Sequence, residues 1–325
     1  MLVIGESDAG KTSFTTALAN RLLAMGFTVS VVDADLGQSD IGPPTTVGLG
    51  RLVKPIERLD QAEVVGLYFI GATSPQGHLL PTAAGTKRMV EKALRLGMDK
   101  VVVATSGLIQ GEVGRALKQH KIDLIDPDLV ICLQRGDECE HILRPYDLGT
   151  RPEILRLTSS AAVRKRSQEE RRAYRERAFQ SYFRSAKSLS LDLSRILLRQ
   201  PAFFIGQPLT PKQLEEISAV VDDMVLWAER RESELTLITP DPLQAPQLHQ
   251  LETRFDKLAI SNYSLDDFQH TLAGLENRER ETLGLGIVHS VDFAKQIMVV
   301  ETPVPEAAIA SVRIGHHKLR LAGIP

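Results

Sequence analysis

The chain has 325 residues, a net charge of −2, 43% hydrophobic residues and 25% charged residues. That is room for one large or two ordinary soluble domains, and it excludes a wholly basic nucleic-acid-binding module or a low-complexity chain. No apolar run reaches the roughly 18–20 residues of a membrane span, and no signal peptide is visible. The two cysteines, Cys132 and Cys139, form neither a metal-ligand pattern nor a disulfide framework, so two unpaired thiols in a reducing cytoplasm are expected.

In chain order, Met1–Ile4 predicts a strand, and Lys11–Met25 a helix stopped by Gly26. Thr28–Asp33 and Val64–Ile70 predict strands, and Thr82–Leu96 a helix stopped by Gly97. Lys100–Ala104 predicts a buried strand, Glu112–His120 a helix and Leu129–Leu133 a strand. This alternation implies a parallel sheet with helices on both faces, an α/β fold. Residues 163–199 look helical and highly charged. Beyond Pro201 the alternation fades, and Leu235–Ile238, Leu283–Val288, Gln296–Val300 and Ser311–Ile314 predict short strands. The expected organisation is an α/β domain over 1–205, with a basic segment at about 163–187, and a smaller β-rich domain over 206–325.

Gly5-Glu6-Ser7-Asp8-Ala9-Gly10-Lys11-Thr12 fits the phosphate-loop pattern G-x-x-x-x-G-K-[ST], with Ser13 following. The glycines let backbone N–H groups curl around a β-phosphate. Lys11 reaches the β- and γ-phosphates, Thr12 places a hydroxyl on Mg²⁺, and the helix starting there turns its positive end to the anion. ATP or GTP with Mg²⁺ is therefore the expected ligand. The second strand ends in Asp33-Ala34-Asp35-Leu36-Gly37-Gln38, at the carboxyl edge where open α/β sheets bind ligands. Two carboxylates there can hold Mg²⁺ through water or take a proton from an attacking hydroxyl.

The N-K-x-D sequence that reads guanine is absent, and Glu6 and Ser7 stand where partition-type ATPases carry an extra lysine. A small-substrate kinase, a polynucleotide kinase or a metallochaperone-like ATPase remains. Arg164 to Lys187 holds nine basic residues (Arg164, Lys165, Arg166, Arg171, Arg172, Arg175, Arg177, Arg184 and Lys187) against Glu169, Glu170 and Glu176, a local +6. That much charge disfavours a small neutral acceptor and suits a polyanion. Arg171 and Arg175, four apart, share a helix face, and guanidinium groups suit bidentate phosphate contact.

Asp33–Gln38 followed by Gly42-Pro43-Pro44 resembles the second motif of the P-loop polynucleotide 5′-hydroxyl kinases. That family includes the kinase subunit of the mRNA 3′-end cleavage complex and the kinase of ribosomal-RNA processing. Gly71-Ala72-Thr73-Ser74-Pro75-Gln76-Gly77-His78 resembles the family's clasp. Arg166, Arg171 and Arg175 match its lid arginines, and Leu283–Val288 with Thr302-Pro303-Val304 resembles its C-terminal domain. These motifs stand in the family's order, and the chain resembles a prokaryotic-type member.

The resemblance implies ATP-dependent phosphorylation of nucleic-acid 5′ ends, single-stranded or duplex, RNA in preference to DNA, with no membrane and with protein partners unspecified. It implies Asp35 as general base, or as the residue that orients the 5′-hydroxyl through Mg²⁺, with Asp33 the alternative. It implies Gln38 at the metal-water shell or acceptor end, Thr73, Ser74 and Gln76 on the acceptor, and Arg166 with the lid arginines on phosphate. A nucleotide-switched binding protein without kinase activity is the competing expectation.

Two departures stand out. Leu108, in Ala104-Thr105-Ser106-Gly107-Leu108, replaces a family tryptophan that stacks on the acceptor base, a contact of roughly 1–3 kcal/mol. The phosphate loop also lies only four residues from Met1, so an N-terminal β domain that helps hold adenine in larger relatives is expected to be missing or cut off. The single tryptophan, Trp227, and Phe203-Phe204 are expected to be core or domain-packing residues.

Overall fold

The computed structural model describes residues 1–160, 164, 166–199, 205–255 and 258–320. Lys165, Phe203 and Phe204 lie outside the described residues. The chain divides into two compact units, residues 1–184 with 281–283, and residues 185–280 with 284–325.

The first unit contains strands β1 (Leu2–Gly5), β2 (Val29–Ala34), β3 (Thr46–Leu52), β4 (Glu63–Phe69), β5 (Lys100–Thr105), β6 (Leu129–Gln134) and β7 (Glu153–Thr158). Its helices are α1 (Lys11–Ala24), α2 (Leu79–Arg95), α3 (Gly111–Ile125), α4 (Glu140–Leu143) and α5 (Gln168–Tyr182). The strand order is β7-β6-β1-β5-β2-β3-β4. From β7 to β2 every pair is parallel, while β2–β3 and β3–β4 are antiparallel. The central parallel strands β1, β5 and β6 are near-continuous apolar runs because both faces are covered, whereas the edge strand β7 carries Glu153 and Arg156 and is largely exposed. One core holds Leu2, Ile4, Val32, Val103 and Val130 with Met89, Val90 and Ile122 of α2 and α3. The other holds Val3, Val31, Val102 and Ile131, with Ala19 of α1 and partly buried Phe14 and Leu22.

Strands β3 and β7 were not expected from the sequence. In β3 the glycines of Thr46-Val-Gly-Leu-Gly-Arg-Leu52 weaken a strand signal, yet they are required. A Cβ on Gly48 would stand 1.8 Å from the carbonyl oxygen of Ile41. The expected helical stretch 163–199 is also corrected. Helix α5 ends at Tyr182, and Lys187–Asp192 is strand β8, because Lys-Ser-Leu-Ser-Leu-Asp alternates with the two-residue period of a strand.

The second unit continues from β8 with β9 (Leu197–Arg199), β10 (Gln207–Pro208), α6 (Pro211–Val221), β11 (Trp227–Arg230), β12 (Glu234–Thr239), α7 (Ala245–Arg254), β13 (Ala259–Ser264), β14 (Thr271–Glu276), β15 (Thr282–Asp292), β16 (Ile297–Thr302) and β17 (Ser311–Lys318). Strands β10 to β13 form a small sheet packed with α6 and α7 around Ile217, Leu237 and Leu251. Strand β16 lies between β8 and β15, and β17 between β14 and β9. Trp227 is half-buried against the core of Phe268, Val288 and Met298. Buried Glu276 accepts Arg199 Nη1 at 2.7 Å and Arg313 Nη2 at 2.8 Å, so its charge is matched inside the fold.

Gly48→Ala is expected to cost about 1–3 kcal/mol, because strand β3 and the 39–41 segment cannot both hold position. Urea denaturation should show a lower midpoint at an unchanged slope.

Candidate functional site

Strand β1 ends at Gly5, whose φ is 152° and whose missing Cβ leaves room for the Leu133 carbonyl, 2.4 Å from where it would stand. The loop then turns through Asp8 (φ 56°) and Gly10 (φ 86°) into α1. Gly10 caps α1 without a side-chain acceptor, so the first amides of the helix are open to an anion. Gly5, Glu6 and Ala9 shape this loop from beneath. Ser7, Asp8, Gly10, Lys11, Thr12 and Ser13 line the cleft above it. Lys11 is only 8% exposed and donates Nζ to the Glu6 carbonyl at 2.6 Å. Burial pushes its pKa down, and the Asp35 and Asp8 carboxylates hold it up against that.

The opposite wall comes from the end of β2. Asp33 is buried, and its carboxylate accepts backbone N–H groups of Asp35 (3.1 Å), Asp40 (2.7 Å) and Ile41 (3.3 Å). Burial, with Asp40 and Asp35 close by, pushes its pKa up to about 7. Asp35 differs. Its Oδ1 accepts Gly37 N and Gln38 N, each at 3.1 Å, while Oδ2 accepts no hydrogen bond among the described residues. Thr73 and Ser74 also line the cleft, but Gln76 does not. Its N–H instead closes a turn on Ser74 Oγ at 3.2 Å.

The floor is the turn after β5. A Cβ on Gly107 would stand 2.4 Å from the backbone nitrogen of Ser7, so this turn touches the phosphate loop backbone to backbone. Leu108 lines the cleft beside it. The turn is held from below by Lys118 of α3. Its Nζ donates to Thr105 Oγ1 at 3.0 Å and to the Ser106 carbonyl at 2.6 Å, and Thr105 Oγ1 donates to the Val3 carbonyl at 2.9 Å. Lys121, one turn on, is fully buried and its Nζ has no hydrogen-bond partner among the described residues. Burial pushes its pKa down to about 8 against the pull of Asp35 and Asp33.

Helix α5 closes the cleft. It starts in a reciprocal cap, with Ser167 Oγ accepting Glu170 N at 3.1 Å and Glu170 Oε2 accepting Ser167 N at 2.8 Å. Arg171 Nη2 meets Asp8 Oδ2 at 2.6 Å, and Arg166 Nη1 meets Gln38 Oε1 at 2.9 Å. Tyr174 donates its hydroxyl to Asp40 Oδ1 at 2.8 Å. Burial keeps the Asp40 carboxyl above the usual range, with the Tyr174 bond opposing that shift. Arg164, Arg166, Arg171 and Arg175 all face the cleft.

Sequence reasoning missed Asp40, Tyr174, Lys118 and Lys121. The lysines did leave a signal. Gly114, Leu117, Lys118, Lys121 and Ile122 form one buried helix stripe, and cations within a core-facing stripe mark a charged site beneath. Tyr174 lies three residues after Arg171 and so shares its face.

Residues 5–185 match the family described as the mRNA cleavage and polyadenylation factor CLP1 P-loop. The chain belongs to this family. A polyribonucleotide 5′-hydroxyl-kinase of Pyrococcus abyssi is 28% identical over 324 residues, covering 99% of this chain and 88% of that one. Another of Methanocaldococcus jannaschii is 28% identical, covering 96% and 84%. The Xenopus tropicalis polyribonucleotide 5′-hydroxyl-kinase Clp1 is 24% identical, covering 94% and 67%. A solved structure of Clp1p with Pcf11p shares the fold at a TM-score of 0.59 and 14% identity, over 98% of this chain and 74% of that one.

Two consequences can be measured. Gly107→Ala forces a methyl group onto Ser7 and should weaken ADP binding about tenfold or more in a calorimetric titration. Lys121→Met should raise stability at pH 7 by roughly 2–4 kcal/mol. The folded-state pKa is the depressed one, so the cost of the buried charge is full below about pH 8 and vanishes as pH rises to 10.5. The gap between the urea midpoints of variant and parent should close over that range.

Proposed function

We propose that this chain is an ATP-dependent polyribonucleotide 5′-hydroxyl kinase that moves the γ-phosphoryl group of ATP to the 5′ end of RNA. The observation that carries this reading is the convergence on one cleft of Lys11 and Thr12, Asp35, and the cationic helix face of Arg171 and Arg175. The kinase names of the relatives, aligned along nearly the whole chain, support it.

Phosphoryl transfer needs positioning and charge neutralisation more than covalent chemistry. The loop amides and Lys11 hold the donor phosphates, and Arg171 and Arg175 offset the negative charge of the transferring group. The 5′-oxygen forms a bond to the γ-phosphorus, the bond to the bridging oxygen breaks, ADP leaves, and the hydroxyl proton goes to a carboxylate. Asp35 suits that role better than Asp33. One Asp35 oxygen is open, whereas both Asp33 oxygens are engaged by backbone N–H groups. Thr73 and Ser74 at the cleft edge, Gln38 and Arg166 are placed to hold the acceptor end.

Thr12 and Asp35 fit Mg²⁺. Thr12 is exposed at the start of α1, and burial, with Asp40 and Asp35 close by, pushes the Asp33 carboxyl up, a crowding of acidic groups that a bound cation would relieve. No cluster of three or more metal-ligating side chains occurs among the described residues, which suits an ion held largely by substrate phosphates and water. Such an ion would draw charge from the β- and γ-phosphate oxygens. No described helix is long and apolar enough to cross a membrane. A cytoplasmic site of action is the reading that the free thiols Cys132 and Cys139 support.

The test is transfer from labelled ATP to a 5′-hydroxyl oligoribonucleotide, with the DNA counterpart and a 5′-phosphorylated control alongside. Wild-type protein should label the 5′-hydroxyl RNA, and Lys11→Ala should lose at least about 10²-fold in rate. Nucleotide binding with no labelling of either acceptor would instead favour a nucleotide-switched binding protein.

A further inference from the structure

Of the two acidic residues in the phosphate loop, Glu6 and Asp8, the chemistry above uses neither side chain, and that of Asp8 is engaged elsewhere. Asp8 occupies a left-handed conformation (φ 56°) at the crest of the loop, with its side chain turned to helix α5. Its Oδ2 accepts two bonds from that region, Arg171 Nη2 at 2.6 Å and the backbone N–H of Arg166 at 3.1 Å. Its carbonyl is also tied down, accepting Arg135 Nη2 at 3.3 Å. The Asp8 side chain is 11% exposed and that of Arg171 30%, so the pair is shielded well enough to orient its members.

The two arginines on this helix face are not equivalent. Arg171 is committed to Asp8 through Nη2, while its Nε is buried with no hydrogen-bond partner among the described residues. Nη1 donates to no described residue, so that end of the guanidinium stays available to an anion in the cleft while Nη2 is anchored. Arg175, one turn later, lines the same cleft with no ion-pair partner among the described residues. The planar fork of Arg171 suits this double duty, because fixing one nitrogen fixes the direction of the others.

We propose that Asp8 is the docking carboxylate of the lid, a positioning residue that sets where α5 closes over the phosphate loop and aims Arg171 at the transferring phosphoryl group. Arg175 is the unanchored cation of the pair. Asp8 thus belongs functionally to the lid although it lies inside the phosphate-loop motif, and its role differs from that of the loop amides that hold the nucleotide. The catalytic meaning of this assignment rests on the kinase reading, but the docking itself does not.

The experiment is a double-mutant cycle with two readouts. Amide hydrogen exchange over residues 166–182 is measured without acceptor, and kcat and KM for ATP are measured with a 5′-hydroxyl oligoribonucleotide. Asp8→Asn and Arg171→Met should each speed exchange in the lid about tenfold, and the double variant should exchange no faster than the quicker single variant. Both should lower kcat about tenfold with KM for ATP changed less than threefold, again without multiplying in the double variant. Arg175→Met should lower kcat while leaving lid exchange at the parent rate. Unchanged lid exchange in Arg171→Met overturns the proposal, and so do Asp8 and Arg171 effects that multiply. Arg171 is half-exposed on α5 and outside the apolar core, so its variant decides the matter even where Asp8→Asn fails to fold. Coupled exchange in a protein that labels no acceptor would sink the kinase reading and leave the docking intact.

Discussion

The close approach of three backbone segments around the phosphate loop is the constraint on which the cleft depends. The Leu133 carbonyl comes close enough to Gly5, and the turn at Gly107 close enough to Ser7, that neither position has room for a side chain. A phosphate nest works by holding several N–H groups on one small anion, which requires that the loop not breathe. Here rigidity comes from the neighbouring strand and turn. The same closeness explains why Thr105 bonds back to Val3 and why Lys118 is spent on holding the turn.

Charge in the cleft is layered. Lys118 and Lys121 lie beneath the loop, the carboxylates of Asp33 and Asp35 stand at the wall, and the arginines of α5 close it from above. Burial works against each layer. It pushes the lysines toward neutrality and Asp33 toward protonation, so each sign is tolerable only because the other is near. Two further carboxylates, Asp8 and Asp40, take part in this balance and also hold the lid helix through Arg171 and Tyr174. Acidic residues near the phosphates therefore divide between those facing the reaction and those facing the lid.

Most of the first unit was legible because a parallel sheet writes itself as apolar runs separated by amphipathic helices, and because a phosphate loop requires residue types at fixed spacing. The motif order from Gly5 to Arg175 also located the cleft. What stayed hidden was set by tertiary contact. Strand β3 is rich in glycine because the Ile41 backbone crosses it, and β8 follows a helix without a proline or glycine to mark the change. Asp40 and Tyr174 acquire meaning only when α5 folds back over residues 38–40, more than 130 positions earlier in sequence. Gln76 shows the reverse. The motif assigns it to the acceptor, and its backbone completes a local turn beside the cleft with the side chain exposed, so no contact within the fold marks it.

Strand β1 lies between β5 and β6, with Leu2 paired to Val103 on one side and to Val130 on the other. Residues 2–5 cannot therefore be locked in place until residue 134 is available, and the phosphate loop hanging from them cannot be completed earlier. Synthesis at about 5–20 residues per second separates these segments by several seconds. During that interval a growing chain carries an apolar strand with at most one of its two partners, β5, and gains nothing from ATP. Nucleotide can steady the folded domain but cannot draw the nascent chain toward it, so the burden of avoiding aggregation in that window falls on chaperones or on neighbouring sequence.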